Sequence, residues 1–90
     1  MRAPSFTGQL ERDVKRQEKR GKDMARLRAV IELLISGDSL PRELGDHPLK
    51  GEWQASRDLH IELDWILIYT PSGDAVRVER TGTHADLFNR

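Results

Sequence analysis

The sequence predicts an α+β fold in which a helical hairpin covers one face of a small, antiparallel-rich sheet, in the order (β)ααβββ with a short C-terminal helical turn. Three observations predict it. Apolar residues recur at helical spacing between residues 5 and 37. From Trp53 onward the period changes to two. WILIY, residues 65–69, is an unbroken apolar run of strand length.

Each element has a local reason. Arg2 to Pro4 forms a short edge strand, and Ser5 or Thr7 caps the helix that follows. Phe6, Leu10 and Val14, spaced by four, give that helix one narrow apolar stripe, and Gly21 stops it. Asp23 caps a second helix, whose Leu27, Val30, Ile31 and Leu34 fall at i, i+3, i+4 and i+7; Gly37 closes it. Residues 38–51, DSLPRELGDHPLKG, read as loop. Trp53, Ala55, Leu59 and Ile61 then share one face of a strand, and Glu52, Gln54, Ser56, Asp58 and His60 the other. WILIY is a central strand buried on both faces. PSGD turns the chain, and Val76 and Val78 alternate with Arg77 and Glu79 in the last strand of a meander. Thr83 or Asp86 begins a final helical turn through Leu87 and Phe88.

With 90 residues the chain is expected to be one domain, 1–90. It has no cysteine, which excludes disulfides and thiolate metal sites and is compatible with a cytoplasmic protein. No apolar run approaches the roughly 20 residues that span a bilayer, so no membrane partner is expected. The first ten residues lack the apolar core of a signal peptide. Net charge is zero, but residues 12–28 carry a local charge of +5. Such a block suits a polyanion such as RNA, or a solvated helix face.

Ionisable residues gather at strand ends. DLHIELDW, residues 58–65, sets Asp58, His60 and Asp64 among apolar neighbours; His47 lies in the loop DHPLKG, and Arg80 and His84 in RTGTHADLF. Taken singly, Asp64 reads as a turn former, Arg80 as a partner of Glu79 or Asp86, and Trp53, Trp65 and Phe88 as core. Together they suit RNA cleavage by the substrate's own 2′-hydroxyl. Imidazoles act as acid or base near neutrality, a guanidinium stabilises the crowded phosphorane, and an aromatic stacks on a splayed base. A two-histidine-plus-carboxylate metal site is the rival chemistry, but the spacing matches no HExxH-like pattern.

The stretches DHPLKGEW, RDLHIELDWILIY and RTGTHADLF resemble the YafQ family of bacterial toxins, within the RelE/ParE superfamily of toxin–antitoxin modules. The resemblance covers essentially the whole chain. It implies a small RelE-like fold and a ribosome-dependent mRNA endonuclease that inhibits translation and is silenced by a cognate antitoxin protein. It implicates His47, His60, Asp64, Arg80 and His84 in catalysis, and Trp65 and Phe88 in substrate binding. In this reading His84 is the general acid at the leaving oxygen. His47 or His60, assisted by Asp64, is the base, Arg80 stabilises the phosphorane, and Phe88 orients the substrate. Lys15, Arg16, Lys19, Arg20 and Lys22 of the basic hairpin would hold ribosomal RNA, with mRNA in the A site; no metal or organic cofactor is implied. Leu63 stands where the family commonly has proline, and Ala55-Ser56 where it often has glycine. The rival readings are a non-enzymatic superfamily toxin and a catalytically inactive antitoxin-binding module.

Overall fold

The computed structural model describes residues 1–88; the last two residues of the expected 1–90 domain lie outside them. Five strands and three helices keep the expected order with one strand, β2, added in the expected loop: β1 (Ala3–Phe6), α1 (Gly8–Lys19), α2 (Met24–Ser36), β2 (His47–Pro48), β3 (Arg57–Glu62), β4 (Trp65–Ser72), β5 (Ala75–Gly82) and α3 (His84–Phe88). The strands form one sheet in the order β1-β5-β4-β3-β2. β3, β4 and β5 are the expected antiparallel meander. β1 is an edge strand and runs parallel to β5.

Local chemistry sets the boundaries. The Thr7 hydroxyl, not Ser5, accepts from the Leu10 amide and caps α1. The Asp23 carboxylate caps α2 through the Ala25 amide, and Gly37 ends it at a φ of 77°. The N-terminal strand runs to Phe6, two residues further than expected. Phe6 therefore does not belong to the helical stripe and stays 48% exposed. The face that α1 buries is Leu10, Asp13 and Gln17, at i, i+3 and i+7, so two of its three buried residues are polar. Beneath the hairpin, Leu10, Leu27, Val30 and Leu34 pack on Leu59, Ile61, Trp65, Leu67, Tyr69, Val76 and Val78. Burying such side chains contributes roughly 1.5–3 kcal/mol each before entropy is counted.

The loop at 38–51 is more ordered than its composition suggests. It holds a 3-10 turn at Arg42–Leu44 and the two-residue strand β2. A second 3-10 turn, Gly51–Trp53, replaces the expected start of the first meander strand, which begins at Arg57. Trp53 consequently leaves the sheet and its core.

β4 is buried on both faces, as its continuous apolar run implies. Trp65, Leu67 and Tyr69 face the helices, while Ile66 and Ile68 floor the opposite face. β5 changes phase partway. Tyr69 pairs with Val78 but Ile68 pairs with Arg80, so Glu79 is an extra, bulged residue. The bulge turns Arg80 onto the face opposite Val76 and Val78, a known use of such irregularities.

Candidate active site

The register assembles the site on the sheet face away from the hairpin. One row runs His47, Asp58, Ile68, Arg80 across β2, β3, β4 and β5; the next runs His60, Ile66, Gly82. Directly opposed residues of antiparallel strands share a face, so these rows set His47, Asp58 and His60 side by side, with Arg80 one strand further on beyond Ile68. Gly82 leads through Thr83 into α3, which begins with His84.

The three histidines converge. The rings of His47 and His60 lie 6.4 Å apart between centroids, those of His60 and His84 5.6 Å, and those of His84 and Phe88 6.3 Å. His60 stands in the middle, and Gly45 presses on it from behind. A Cβ at Gly45 would come within 3.2 Å of His60 Nδ1, and a φ of 59° already favours glycine there.

His84 is held at two points by one oxygen. Its backbone N–H and its Nδ1 donate to Oδ1 of Asp64, at 3.1 and 2.7 Å. Nδ1 therefore carries the proton, and Nε2 is left for the substrate. These bonds hold the Asp64 carboxyl below its usual range. Asp64 serves His84 and neither candidate base, because the β3–β4 turn brings it to the start of α3; the expectation that it assists His47 or His60 is corrected accordingly.

His47 has a different carboxylate. Its Nε2 lies 3.0 Å from Oδ1 of Asp58, off the line of a hydrogen bond, and its Nδ1 approaches the Pro48 carbonyl at 3.2 Å. Asp58 is only 3% exposed. Burial raises its pKa, while the charges of His47, His60 and His84 pull the other way. Sequence reasoning placed Asp58 on the polar face but gave it no role. The available signal was an acid two residues before His60, on the same strand face.

α3 is tied down independently. Thr83 and Asp86 form a reciprocal cap, Thr83 N–H donating to Asp86 Oδ2 and Asp86 N–H to Thr83 Oγ1, each at 3.0 Å. Arg20 donates to both oxygens of the same Asp86, at 2.6 and 3.1 Å. A Cβ on Gly82 would meet Asp86 Oδ2 at 2.8 Å, so only glycine lets the carboxylate seat there.

Two expected residues stand elsewhere. Trp65 is fully buried; its indole N–H donates to Thr81 Oγ1 at 2.9 Å, and the ring belongs to the core. It cannot stack on a base, which corrects the expected substrate-binding role. Arg80 is committed through Nε and Nη2 to Asp13, at 3.0 Å each, rather than to Glu79 or Asp86. Asp13, wholly buried on α1, also accepts from the Thr81 amide. Arg80 thus stands in the site-face row by its backbone register, while its guanidinium is drawn to Asp13 of α1.

The basic block is partly spent inside the molecule. Arg20 holds Asp86, Lys22 and Arg26 share Glu62, and Arg16 lies 3.9 Å from Asp13. Lys22 also sits over the Trp65 ring at 5.8 Å. Lys15 and Lys19 enter none of these pairs.

A cleft of about 540 Å³ opens on the site, lined by His47, Asp58 and His84 together with Lys50, Trp53 and Phe88. Among the described residues, no three His, Asp or Glu side chains converge in a way that would hold a metal ion, and no helix is long and apolar enough to cross a membrane. The arrangement supplies two histidines with carboxylates behind them, a third between, and a fixed guanidinium. That is an acid, a base and cationic stabilisation for phosphoryl chemistry.

Comparison with known proteins agrees with the geometry. A family model described as the bacterial toxin of type II toxin–antitoxin systems, YafQ, matches residues 2–89. The mRNA interferase toxin YafQ of Escherichia coli K12 is 50% identical over 84 residues, 92% of this chain and 91% of the relative. The crystal structure of the E. coli DinJ-YafQ complex superposes with a TM-score of 0.92 at 47% identity, covering 98% of this chain and 99% of the other. A metal-bound toxin from Helicobacter pylori superposes at 0.90 with 29% identity, covering 98% of this chain and all of the other.

Proposed function

The chain belongs to the YafQ family of type II toxins, and we propose that this mRNA interferase cuts mRNA in the ribosomal A site by acid–base catalysis through the RNA 2′-hydroxyl. The observation that carries the reading is the histidine array His47–His60–His84 on one sheet face, with Asp58 behind one end and Asp64 behind the other.

The contacts around the array support a role for each residue. His84 acts as the imidazolium: with Nδ1–H given to Asp64, its Nε2–H faces the leaving 5′ oxygen and transfers the proton to it. His47, with Nε2–H toward Asp58, takes the 2′-hydroxyl proton at Nδ1, and Asp58 stabilises the imidazolium that forms. His60, between them, and Arg80 on the same face hold the phosphorane's negative charge. Phe88, beside His84, orients the nucleotide. None of these steps calls for a metal or an organic cofactor. Docking on ribosomal RNA falls chiefly to Lys15 and Lys19, with Arg16, while Arg20 and Lys22 serve the internal structure. The site of action is the cytoplasm, and a cognate antitoxin holds the toxin inactive. That partner lays the apolar face of an amphipathic helix in the groove between α1 and α2. The groove is floored by Phe6, Val14, Met24, Ile31 and Ile35, and its charged rim is mixed, Glu11, Glu18 and Glu32 beside Lys15 and Arg28.

Cleavage of mRNA on programmed ribosomes tests the reading. The expected product carries a 2′,3′-cyclic phosphate, and it forms with transition metals chelated and Mg²⁺ retained. Intact mRNA would return the chain to the non-enzymatic readings. A rate restored by only one transition metal would replace acid–base chemistry with metal chemistry.

A further inference from the structure

Trp53 stands out among the aromatics of this chain. It is half-buried, it lies outside the core cluster, and it faces the cleft that holds His47, Asp58 and His84. The backbone fixes it there. Gly51, at a φ of 70°, starts the 3-10 turn, the Gln54 amide closes it on the Gly51 carbonyl at 3.1 Å, and the Ser56 amide donates to the Trp53 carbonyl at 2.8 Å. An indole left facing water is unfavourable unless something covers it.

Resting on the nuclease reading above, we propose that Trp53 is the stacking platform for a nucleobase next to the scissile phosphate, the place that sequence reasoning gave to Trp65. The histidine array then has an aromatic at each end: Phe88 beside His84, and Trp53 in the turn that follows His47. RNA cleaved through its 2′-hydroxyl must turn at the scissile phosphate, which splays the flanking bases apart, and each splayed base needs a π-face. Lys50 lines the same cleft, together with Glu52, and offers one cation to the backbone that carries the base. Trp53 touches a base and not the reacting atoms, so it sets affinity and sequence preference and leaves the proton transfers alone.

The chain has two tryptophans, so the whole toxin gives two indole N–H signals in a ¹H–¹⁵N spectrum. Titration with a short single-stranded RNA, 2′-deoxy at one nucleotide to block cleavage, should move the Trp53 signal. The buried, Thr81-bonded Trp65 signal should stay in place and report that the core is intact. On programmed ribosomes Trp53→Ala should raise KM roughly 5- to 150-fold, the range seen when one stacking aromatic is removed, at a nearly unchanged kcat. Trp53→Phe should recover most of the loss. If RNA leaves the Trp53 signal unmoved, or if Trp53→Ala cleaves with wild-type KM and the same codon profile, the proposal is wrong. Wild-type toxin that binds the RNA through Trp53 yet never cuts mRNA would instead sink the nuclease reading.

Discussion

Arg20, at the C-terminal end of the first helix, grips both carboxylate oxygens of Asp86 in the last helix, 66 residues away in sequence. The same carboxylate caps the turn that presents His84. A residue in the basic block therefore positions the proposed general acid. This gives Arg20→Ala an effect unlike that of removing a cation from an RNA phosphate. The cleavage rate should fall, by up to about 100-fold for a displacement on the order of 1 Å, while the salt dependence of ribosome binding stays at the wild-type slope. Asp86→Asn should do similar damage, and the double variant should be little worse than either single one. Additive losses, or a flattened salt slope in Arg20→Ala, would return Arg20 to the RNA-binding surface.

The pair also sets an acid limit. Its bond to Arg20, aided by the Thr83 amide, holds Asp86 well below the usual carboxylate range. A carboxyl depressed on folding stabilises the folded state above its unfolded pKa, near 3.9. That contribution is lost as pH falls through the lower folded value. The Thr83 backbone amide, which donates to Asp86 Oδ2, should keep its hydrogen-bonded NMR shift down to about pH 4 and lose it only below.

Asp58 should show the opposite linkage. Burial holds its carboxyl above the ordinary range, so between the unfolded and folded values the folded state binds the extra proton, and stability falls as pH rises through that window. Above the window the ionised form is a burden. Asp58→Asn removes the charge at nearly constant shape. It should raise the melting temperature at pH 8 and lower cleavage by more than about tenfold, since His47 loses the ion it faces. A less stable variant with wild-type cleavage would make Asp58 a structural partner only.

His84→Ala removes the group placed at the leaving oxygen. Cleavage should drop by about 10²- to 10⁴-fold, the usual worth of one acid–base group. The melting temperature should change little, because the side chain is part-exposed and outside the core. Cleavage at near wild-type rate would disprove the acid assignment.

The parts of this molecule that were legible in sequence are those set by local pattern. Apolar spacing revealed α2 and the double-sided β4, and capping residues marked both long helices. Several site features depend on geometry that spacing does not encode. Simple alternation puts Arg80 in line with Val76 and Val78, and only the bulge at Glu79 moves it to the site face. Trp65 and Trp53 look alike as aromatics near polar residues. One is the start of a buried strand and the other sits in a turn, and their expected surroundings exchange. The partner of Asp64 is 20 residues on, and the face that α1 buries is largely polar because Asp13 is spent on Arg80. Pairings of this kind lie outside any single-element pattern.

Lys15 and Lys19 are the members of the predicted RNA-binding set that enter no ion pair among the described residues. Reversing both to Glu should weaken ribosome binding and lower its salt slope by roughly one unit for each phosphate no longer neutralised. Stability should change by only about a few tenths of a kcal/mol, as is usual for exposed helix charges. Unchanged affinity and slope would make this flank a solvated face.

The antitoxin groove can be separated from the catalytic face by one substitution. Ile31 is half-buried on α2 and lines the groove beside Val14 and Met24, far in sequence from the histidine array. A carboxylate there would be buried, unpaired, under an incoming apolar side chain, which is strongly unfavourable at an interface. Ile31→Asp should therefore reduce antitoxin affinity by at least about tenfold, corresponding to about 1.4 kcal/mol. It should leave cleavage on ribosomes near wild type. Cells expressing the variant together with the antitoxin should then stop growing, where the wild-type pair permits growth. Undiminished antitoxin binding by a folded Ile31→Asp toxin would place the contact elsewhere, and inhibition by direct cover of His47, His60 and His84 would become the mechanism to test.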